Sequence, residues 1–291
     1  MSRIHDALKK AELEHGRAQS PQIDAAIPSD EASRKERLFT HGSAHTLALA
    51  ADLRFEEVVA RCTHPEWHPD PRVNLFVNPS QPLHSIEPFR TLRSRLYQLR
   101  SQEPLKIILV TSAIAGEGKT FVAANLAHSI VRQKQRSALL IDADLRCARQ
   151  HLLLRAPVNP GLTDYLREDA DEMAVIQHGQ EGNLCFIASG QTVPDPNELL
   201  STSRLKTLLQ RISPAFDWVI IDSPPCLPVA DSRIIADVCD GVLFVLGAAS
   251  TPLEVAQKSL QKFAGKKILG LVLNRIEEGD DEYSPYYDSY D

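Results

Sequence analysis

The chain has 291 residues, of which 43% are hydrophobic and 24% are charged. This composition excludes a wholly disordered chain and a coiled-coil rod, and the length allows one large α/β domain with an appendage or two small domains. The net charge is −6, but the last fifteen residues hold seven carboxylates and no Lys or Arg, which leaves the preceding body at +1. A nearly neutral body with an acidic tail argues against general nucleic-acid binding.

Five cysteines are scattered along the chain without a C-x-x-C pair, a pattern that predicts neither a disulfide framework nor a zinc site and favours a reducing compartment. The apolar run over residues 241–249 is far shorter than the ~20 residues that span a bilayer, and the N-terminus lacks the apolar core of a signal peptide. We therefore expect a cytoplasmic protein with no transmembrane segment of its own.

Residues 1–80 are predicted to form an N-terminal extension, because prolines and charged residues interrupt every strand-like run. Apolar residues at helical spacing near its start predict a short amphipathic helix, and the remainder is predicted to be a partly disordered linker. Such a helix could dock on a partner, on a membrane surface or on its own domain. The apolar residues of this helix are Ile4, Ala7, Leu8 and Ala11.

From residue 105 onward, short apolar runs alternate with helical patterns. Strands that are apolar at nearly every position are typical of a parallel sheet that is covered on both faces. Residues 81–276 are therefore predicted to form a doubly wound α/β domain with a mostly parallel sheet and helices on both faces. The predicted strands are Leu105–Thr111, Ala138–Ile141, Leu184–Ala188, Trp218–Ile221, Val242–Leu246 and Ile268–Leu273, and the clearest predicted helices are Phe121–Gln133, Ser203–Ile212 and Leu253–Phe263.

The segment AIAGEGKT, residues 113–120, lies between the first predicted strand and the helix after it, and it matches the P-loop pattern. Gly116 and Gly118 allow backbone N–H groups to turn toward phosphate oxygens, Lys119 reaches the β- and γ-phosphates, and Thr120 offers a hydroxyl to Mg²⁺. The alternative is a glycine-rich turn that binds nothing. The flanking strand and helix favour a nucleotide site, and its predicted residues are Ala115, Gly116, Glu117, Gly118, Lys119, Thr120 and Phe121.

Two other predicted strands run directly into acidic residues. Asp142 and Asp144 follow the strand ALLI, and Asp222 follows the strand WVII. Because ligands of doubly wound sheets bind at the carboxyl ends of the strands, these carboxylates are expected beside the P-loop. Mg²⁺ needs oxygen ligands there and a phosphoryl acceptor needs a base, although a single Asp in this position could instead cap a helix.

Together, AIAGEGKT, LLIDADLR and VIIDSPP resemble the Walker A, A′ and B motifs of the bacterial tyrosine kinases that govern exopolysaccharide and capsule assembly. The chain is identified as a P-loop NTPase of this polysaccharide biosynthesis tyrosine autokinase family, of the cytoplasmic type. The resemblance implies ATP and Mg²⁺ as cofactors, with the metal held by Thr120, Asp144 and Asp222. Lys119 would act on the phosphates, and Asp142 would orient or deprotonate the tyrosine hydroxyl.

One more residue takes its role from the resemblance, and another keeps two possible roles. Asn274, at the end of LGLVLN, would contact adenine, with a strand-ending turn as the open alternative. Arg146 would hold either the second motif or a neighbouring phosphate, and the sequence leaves both possibilities open.

The segment that contains Glu87, Arg90 and Arg93 fits the E-x-x-R-x-x-R helix in which these kinases resemble one another. In the family this helix joins subunits into a ring, which implies a head-to-tail homo-oligomer. The three side chains share one helix face, so the alternative is a solvated charged surface with a weak internal ion pair.

Four of the six tyrosines lie within the last nine residues, at Tyr283, Tyr286, Tyr287 and Tyr290. Their spacing also suits an aromatic stripe on a helix, but Pro285 and the acidic surroundings favour a flexible tail over residues 277–291. The resemblance implies that these tyrosines are the autophosphorylated acceptors.

The leading hypothesis is an ATP-dependent protein-tyrosine autokinase that phosphorylates tail tyrosines in trans and regulates exopolysaccharide or capsule synthesis and export. Because the membrane module that is fused in many relatives is absent here, the resemblance implies a separate membrane adaptor of the polysaccharide co-polymerase type, which recruits the protein to the inner face of the cell membrane. One alternative is a P-loop ATPase switch that positions the polysaccharide machinery without tyrosine kinase activity. Another is a non-catalytic regulatory partner, against which the intact motif residues count.

Overall fold

The structure is a computed structural model that describes residues 53–78, 80–179, 182–248 and 250–276. A sheet of seven strands forms the centre of the described part. The strands are β1 Ile107–Ser112, β2 Ala138–Asp142, β3 Ile176–His178, β4 Leu184–Ile187, β5 Trp218–Asp222, β6 Gly241–Gly247 and β7 Ile268–Asn274. Their order in the sheet is β3-β4-β2-β5-β1-β6-β7, and every neighbouring pair is parallel except β3 and β4.

Helices cover both faces of this sheet. Because side chains alternate along a strand, Ile108 and Val110 of β1 join one core cluster with the helices over residues 83–100 and 119–131. Leu109 joins a second cluster with the helices over residues 203–212, 231–236 and 253–261. The fold is therefore the predicted doubly wound α/β fold of P-loop NTPases. The helices are α1 Phe55–Arg61, α2 Leu83–Arg100, α3 Lys119–Val131, α4 Gln150–Leu154, α5 Leu162–Leu166, α6 Glu172–Val175, α7 Pro196–Leu200, α8 Ser203–Ile212, α9 Asp231–Ala236 and α10 Leu253–Gln261, with 3₁₀ helices at Leu75–Val77 and Ser213–Ala215.

All six predicted strands and the three clearest predicted helices are confirmed, each within two residues at either end. The strand that the sequence did not reveal is β3, which has three residues and pairs antiparallel with β4 at the edge of the sheet. A run this short carries no periodicity, so its pairing with β4 is a tertiary property.

Residues 53–78 differ from the prediction, which assigns them to an extension outside the core. Val58 of α1 is fully buried, Trp67 packs edge-on against Phe186 of β4, and Phe76 packs edge-on against Phe89 of α2. The apolar side chains of this segment are few and separated by prolines, so no sequence period marks them as core. The folded domain therefore begins well before residue 81.

Two predicted segments lie outside the described residues. These are the short helix near residues 4–11 and the tyrosine-rich tail over residues 277–291. Among the residues that are described, no helix has both the length and the apolar character needed to span a membrane.

Candidate active site

The P-loop connects the end of β1 to the first residue of α3. Gly116 and Gly118 both adopt left-handed backbone angles, with φ of 87° and 96°, which glycine adopts without strain. A side chain at Gly118 would also collide with Asn274, whose Nδ2 would lie 1.9 Å from the added Cβ. The loop therefore turns tightly at the N-terminus of α3, where backbone N–H groups and the helix dipole favour an anion.

Glu117 braces this loop from the inside. Its carboxylate accepts hydrogen bonds from the N–H of Ile114 at 2.8 Å, from the N–H of Gly247 at 3.3 Å and from the hydroxyl of Thr251. Asn274, at the end of β7, donates its Nδ2 to the backbone carbonyl of Glu117 at 2.9 Å. The Glu117 side chain is thus committed to holding the shape of the loop.

Lys119 lies among the predicted carboxylates. Its Nζ is 2.8 Å from Asp144 Oδ2, 3.8 Å from Asp222 Oδ1 and 3.3 Å from the Thr120 hydroxyl. Burial lowers the pKa of Lys119, but the nearby carboxylates outweigh burial and leave the pKa above its ordinary value. The structure therefore brings the P-loop lysine together with one aspartate from each of the two acidic motifs.

Asp142 is fully buried behind Asp144. Its oxygens accept hydrogen bonds from the N–H groups of Asp144 at 3.2 Å, Arg149 at 3.2 Å and Gln150 at 3.0 Å. Burial, with a further contribution from the nearby carboxylate of Asp222, raises the pKa of Asp142 to about 8. Asp142 thus fixes the loop that carries Asp144.

Asp222 ends β5 directly opposite Asp142, its partner in the parallel pairing of β5 and β2. Burial raises the pKa of Asp222, and its Oδ1 is buried without a hydrogen-bond partner among the described residues. Within the described residues, no group of three or more His, Cys, Asp or Glu side chains is arranged to hold a metal ion. A carboxylate oxygen that accepts no hydrogen bond and lies near both Lys119 and Thr120 fits Mg²⁺, which in P-loop enzymes takes further ligands from phosphate and water.

Residues 105–264 match the AAA domain family. The tyrosine-protein kinase YwqD of Bacillus subtilis is 35% identical over 207 residues, which make up 70% of this chain and 87% of that protein. The chain belongs to the bacterial tyrosine-protein kinase family. It is accordingly a protein-tyrosine kinase, as its P-loop and two acidic motifs indicate.

Solved structures resemble the same part of the kinase. The kinase domain of the Escherichia coli tyrosine kinase ETK has a TM-score of 0.64 and 31% identity, covering 72% of this chain and 83% of that one. The chimerical protein CapA2B2 has a TM-score of 0.66 and 26% identity, covering 77% and 98%. Other relatives are much longer: the kinase ptk of Acinetobacter johnsonii is 34% identical over 201 residues, which are 68% of this chain but 27% of that protein.

The remaining predicted residues of the kinase lie at three places. Phe121 packs edge-on against Phe89 of α2, and Ala115 is exposed at the tip of the P-loop. On α2, Arg90 pairs with Glu87, while Arg93 donates to the carbonyl of Ser129 at the end of α3. Glu87 and Arg90 therefore remain at the surface, whereas Arg93 is held within the domain and is not simply part of a solvated charged face.

Gln150 and Asp231 contribute to the site, and neither residue is predicted from the sequence. Gln150 Nε2 donates to Asp222 Oδ2 at 3.2 Å and to the Thr120 carbonyl at 3.0 Å, which ties the second acidic motif to the P-loop. Asp231 accepts two hydrogen bonds from Arg146, at 2.7 and 3.1 Å. An acidic first residue of a helix is a recognisable start signal, but nothing in the local sequence points to Arg146 as its partner.

Proposed function

We propose that the kinase transfers the γ-phosphoryl group of ATP to tail tyrosines of a neighbouring copy, and that this reaction regulates exopolysaccharide or capsule synthesis and export. The observation that carries the proposal is the contact of Lys119 with Asp144 and Asp222 at the end of the P-loop. Phosphoryl transfer depends mainly on positioning and on neutralising charge, and this cluster supplies both.

In this proposal, the P-loop N–H groups and Lys119 hold the ATP phosphates. Thr120 and Asp222, together with Asp144, would hold Mg²⁺ directly or through water. Bound there, Mg²⁺ supplies positive charge to the phosphate oxygens. Asp142, directly behind Asp144, is proposed to orient the tyrosine hydroxyl or accept its proton, since a phenol with a pKa near 10 is a weak nucleophile at neutral pH.

Assembly and location complete the proposal. Glu87 and Arg90 lie at the surface of α2 and, with Arg93 behind them, would join copies head to tail, so that the tail of one copy reaches the site of the next. A membrane adaptor of the polysaccharide co-polymerase type would recruit the kinase from the cytoplasm to the inner face of the membrane.

Asn274, next to Gly118 at the P-loop, is proposed to contact the adenine.

The test is to incubate the purified full chain with ATP and Mg²⁺ and to map phosphotyrosine by mass spectrometry. We expect modification at Tyr283, Tyr286, Tyr287 and Tyr290, and no tail signal from the variant with Phe at all four positions. ATP hydrolysis without phosphotyrosine would contradict the proposal and favour an ATPase switch.

A further inference from the structure

A cavity of about 520 Å³ opens beside the acidic loop that follows β2. One wall comes from that loop and the opposite wall from the segment that follows β4, while Val158 and Asn159, which precede α5, also line the cavity. The cavity therefore lies at the carboxyl ends of two neighbouring parallel strands, where doubly wound sheets bind ligands. No residue of the P-loop lines it. Its principal lining residues are Leu145, Arg146, Cys147, Ser189, Gln191 and Thr192.

Asp144 connects this cavity to the phosphate site. Its Oδ2 accepts a hydrogen bond from Lys119 at 2.8 Å, and its Oδ1 accepts one from the N–H of Cys147, a lining residue, at 3.0 Å. A single side chain therefore separates the lysine of the P-loop from the cavity wall. A group held in the cavity lies next to the proposed transfer point.

Arg146 presents a guanidinium of fixed orientation to the cavity. Its Nε and Nη2 donate to the two oxygens of Asp231, which is fully buried and also accepts a hydrogen bond from Asn197 at 3.4 Å. Hydrogen bonding to Asp231 raises the pKa of Arg146, so the charge is kept. Its Nη1 carries no hydrogen bond to the described residues, and the planar group can therefore offer that edge to a carboxylate.

The opposite wall is also rigid. The carbonyls of Ala188 and Ser189 accept hydrogen bonds from the first N–H groups of α5, at Leu162 and Thr163, with distances of 2.7 and 2.9 Å. A side chain at Gly190 would meet the Thr163 hydroxyl at 2.2 Å, so the wall packs directly on α5. The cavity is thus built from two braced loops and keeps its shape before a ligand arrives.

We propose that this cavity binds an acceptor tyrosine together with an adjacent acidic residue, supplied by the C-terminal tail of a second copy, and that Arg146 pairs with the acidic residue. The inference rests on the proposed trans-phosphorylation and adds which acceptor tyrosines the site prefers, namely those with an acidic neighbour. The described residues end at position 276, and the tail beyond them holds seven carboxylates. Glu282 precedes Tyr283, Asp288 follows Tyr287, and Asp291 follows Tyr290, whereas Tyr286 stands between Pro285 and Tyr287. Tyr286 is therefore expected to be modified last.

The experiment uses the full chain with Phe at all four tail tyrosines, so that phosphate is transferred only to added peptide. The acceptors are the hexapeptide YYDSYD, which has the sequence of residues 286–291, and YYNSYN, in which Asn replaces both Asp residues. We expect kcat/KM to be about fivefold higher for the acidic peptide, mainly through KM. In Arg146→Gln this preference disappears, while Arg211→Gln, a surface arginine that pairs with Glu172, keeps it.

Exposed Cys147 gives a second readout that does not depend on catalysis. The acidic peptide should slow maleimide labelling of this thiol, and the Asn peptide should do so only at higher concentration. Equal kcat/KM for the two peptides, or a preference that survives Arg146→Gln, would overturn the inference and leave trans-phosphorylation standing. If neither peptide is phosphorylated, the proposed function fails, and Cys147 protection alone decides whether the cavity binds the acidic segment.

Discussion

The carboxylates at the carboxyl ends of β2 and β5, here called the acidic edge, and the segment over residues 53–78 both contain buried side chains, but these affect stability in opposite directions. At the edge, Asp142 and Asp222 have no solvent exposure, and burying carboxylates costs free energy that Lys119 only partly offsets. In the segment, Val58 and Phe76 bury apolar surface, which stabilises the fold. Apolar packing away from the active site therefore offsets the free-energy cost of burying these carboxylates.

Removing the lysine should have the largest effect on the acidic edge. Lys119→Met takes away the charge that contacts Asp144 and Asp222, and we expect tail phosphorylation to fall by about a thousandfold or more. Quantitative phosphotyrosine mass spectrometry measures the loss, and circular dichroism checks the fold. Lys258→Met, on the exposed face of α10, is the matched control and should keep wild-type activity. Unchanged phosphorylation in Lys119→Met would remove this site from the reaction.

A core substitution in the segment should affect stability, not chemistry. Phe76→Ala removes a buried ring that packs on Phe89, and we expect a loss of about 3 kcal/mol in the free energy of unfolding. Urea denaturation measures the loss. Leu83→Ala, at an exposed position on α2, is the control and should change stability by less than about 0.5 kcal/mol. An equally small change for Phe76→Ala would mean that the segment is an extension after all.

The acidic edge also predicts a pH dependence of stability, to be measured in nucleotide-free protein with a chelator present. Burial raises the pKa of Asp142 from 3.8 to about 8, so the stability that its neutral form contributes is present below the ordinary pKa and is lost as pH rises through about 8. Asn cannot ionise, so the stability of Asp142→Asn relative to the wild type should rise between those two values. The other charged groups that face Asp142 are Asp144, Asp222 and Lys119, and both proteins share them, so the difference between the two stability curves reports on position 142. Parallel stability curves for the two proteins would contradict this prediction.

The smallest effects are expected on α2, where two arginines of one motif occupy different environments. Arg90→Ala should weaken self-association and leave stability nearly unchanged, because Arg90 pairs with Glu87 at the surface. Arg93→Ala should weaken association and also cost about 1 kcal/mol of stability, because it removes a hydrogen bond to the Ser129 carbonyl. Light scattering and thermal unfolding separate the two effects. Identical stability losses would show that the two positions are equivalent.

Local patterns were enough to predict six of the seven strands and the P-loop. Strands such as β2 and β5 are nearly continuous apolar runs. The P-loop and each of the two acidic motifs occupy only a few consecutive residues. These features depend on neighbours in sequence, so spacing reveals them.

Contacts across the fold could not be predicted in the same way. Arg146 and Asp231 are 85 positions apart, and Gln150 and Asp222 are 72 apart, so only the arrangement of the strands brings each pair together. The burial of Trp67 against Phe186 depends likewise on the position of a segment with no period of its own. These are tertiary properties, for which a single sequence carries no local signal.

The central claim is transfer between copies, and a mixing experiment tests it most directly. Lys119→Met supplies intact tail tyrosines without the proposed catalytic lysine, and the chain with Phe at Tyr283, Tyr286, Tyr287 and Tyr290 supplies an intact site without acceptors. Neither variant should form tail phosphotyrosine alone. Mixed with ATP and Mg²⁺, they should form phosphotyrosine on the Lys119→Met chain. An unlabelled mixture, under conditions in which the wild type labels its own tail, would show that transfer occurs within one chain and would contradict the account.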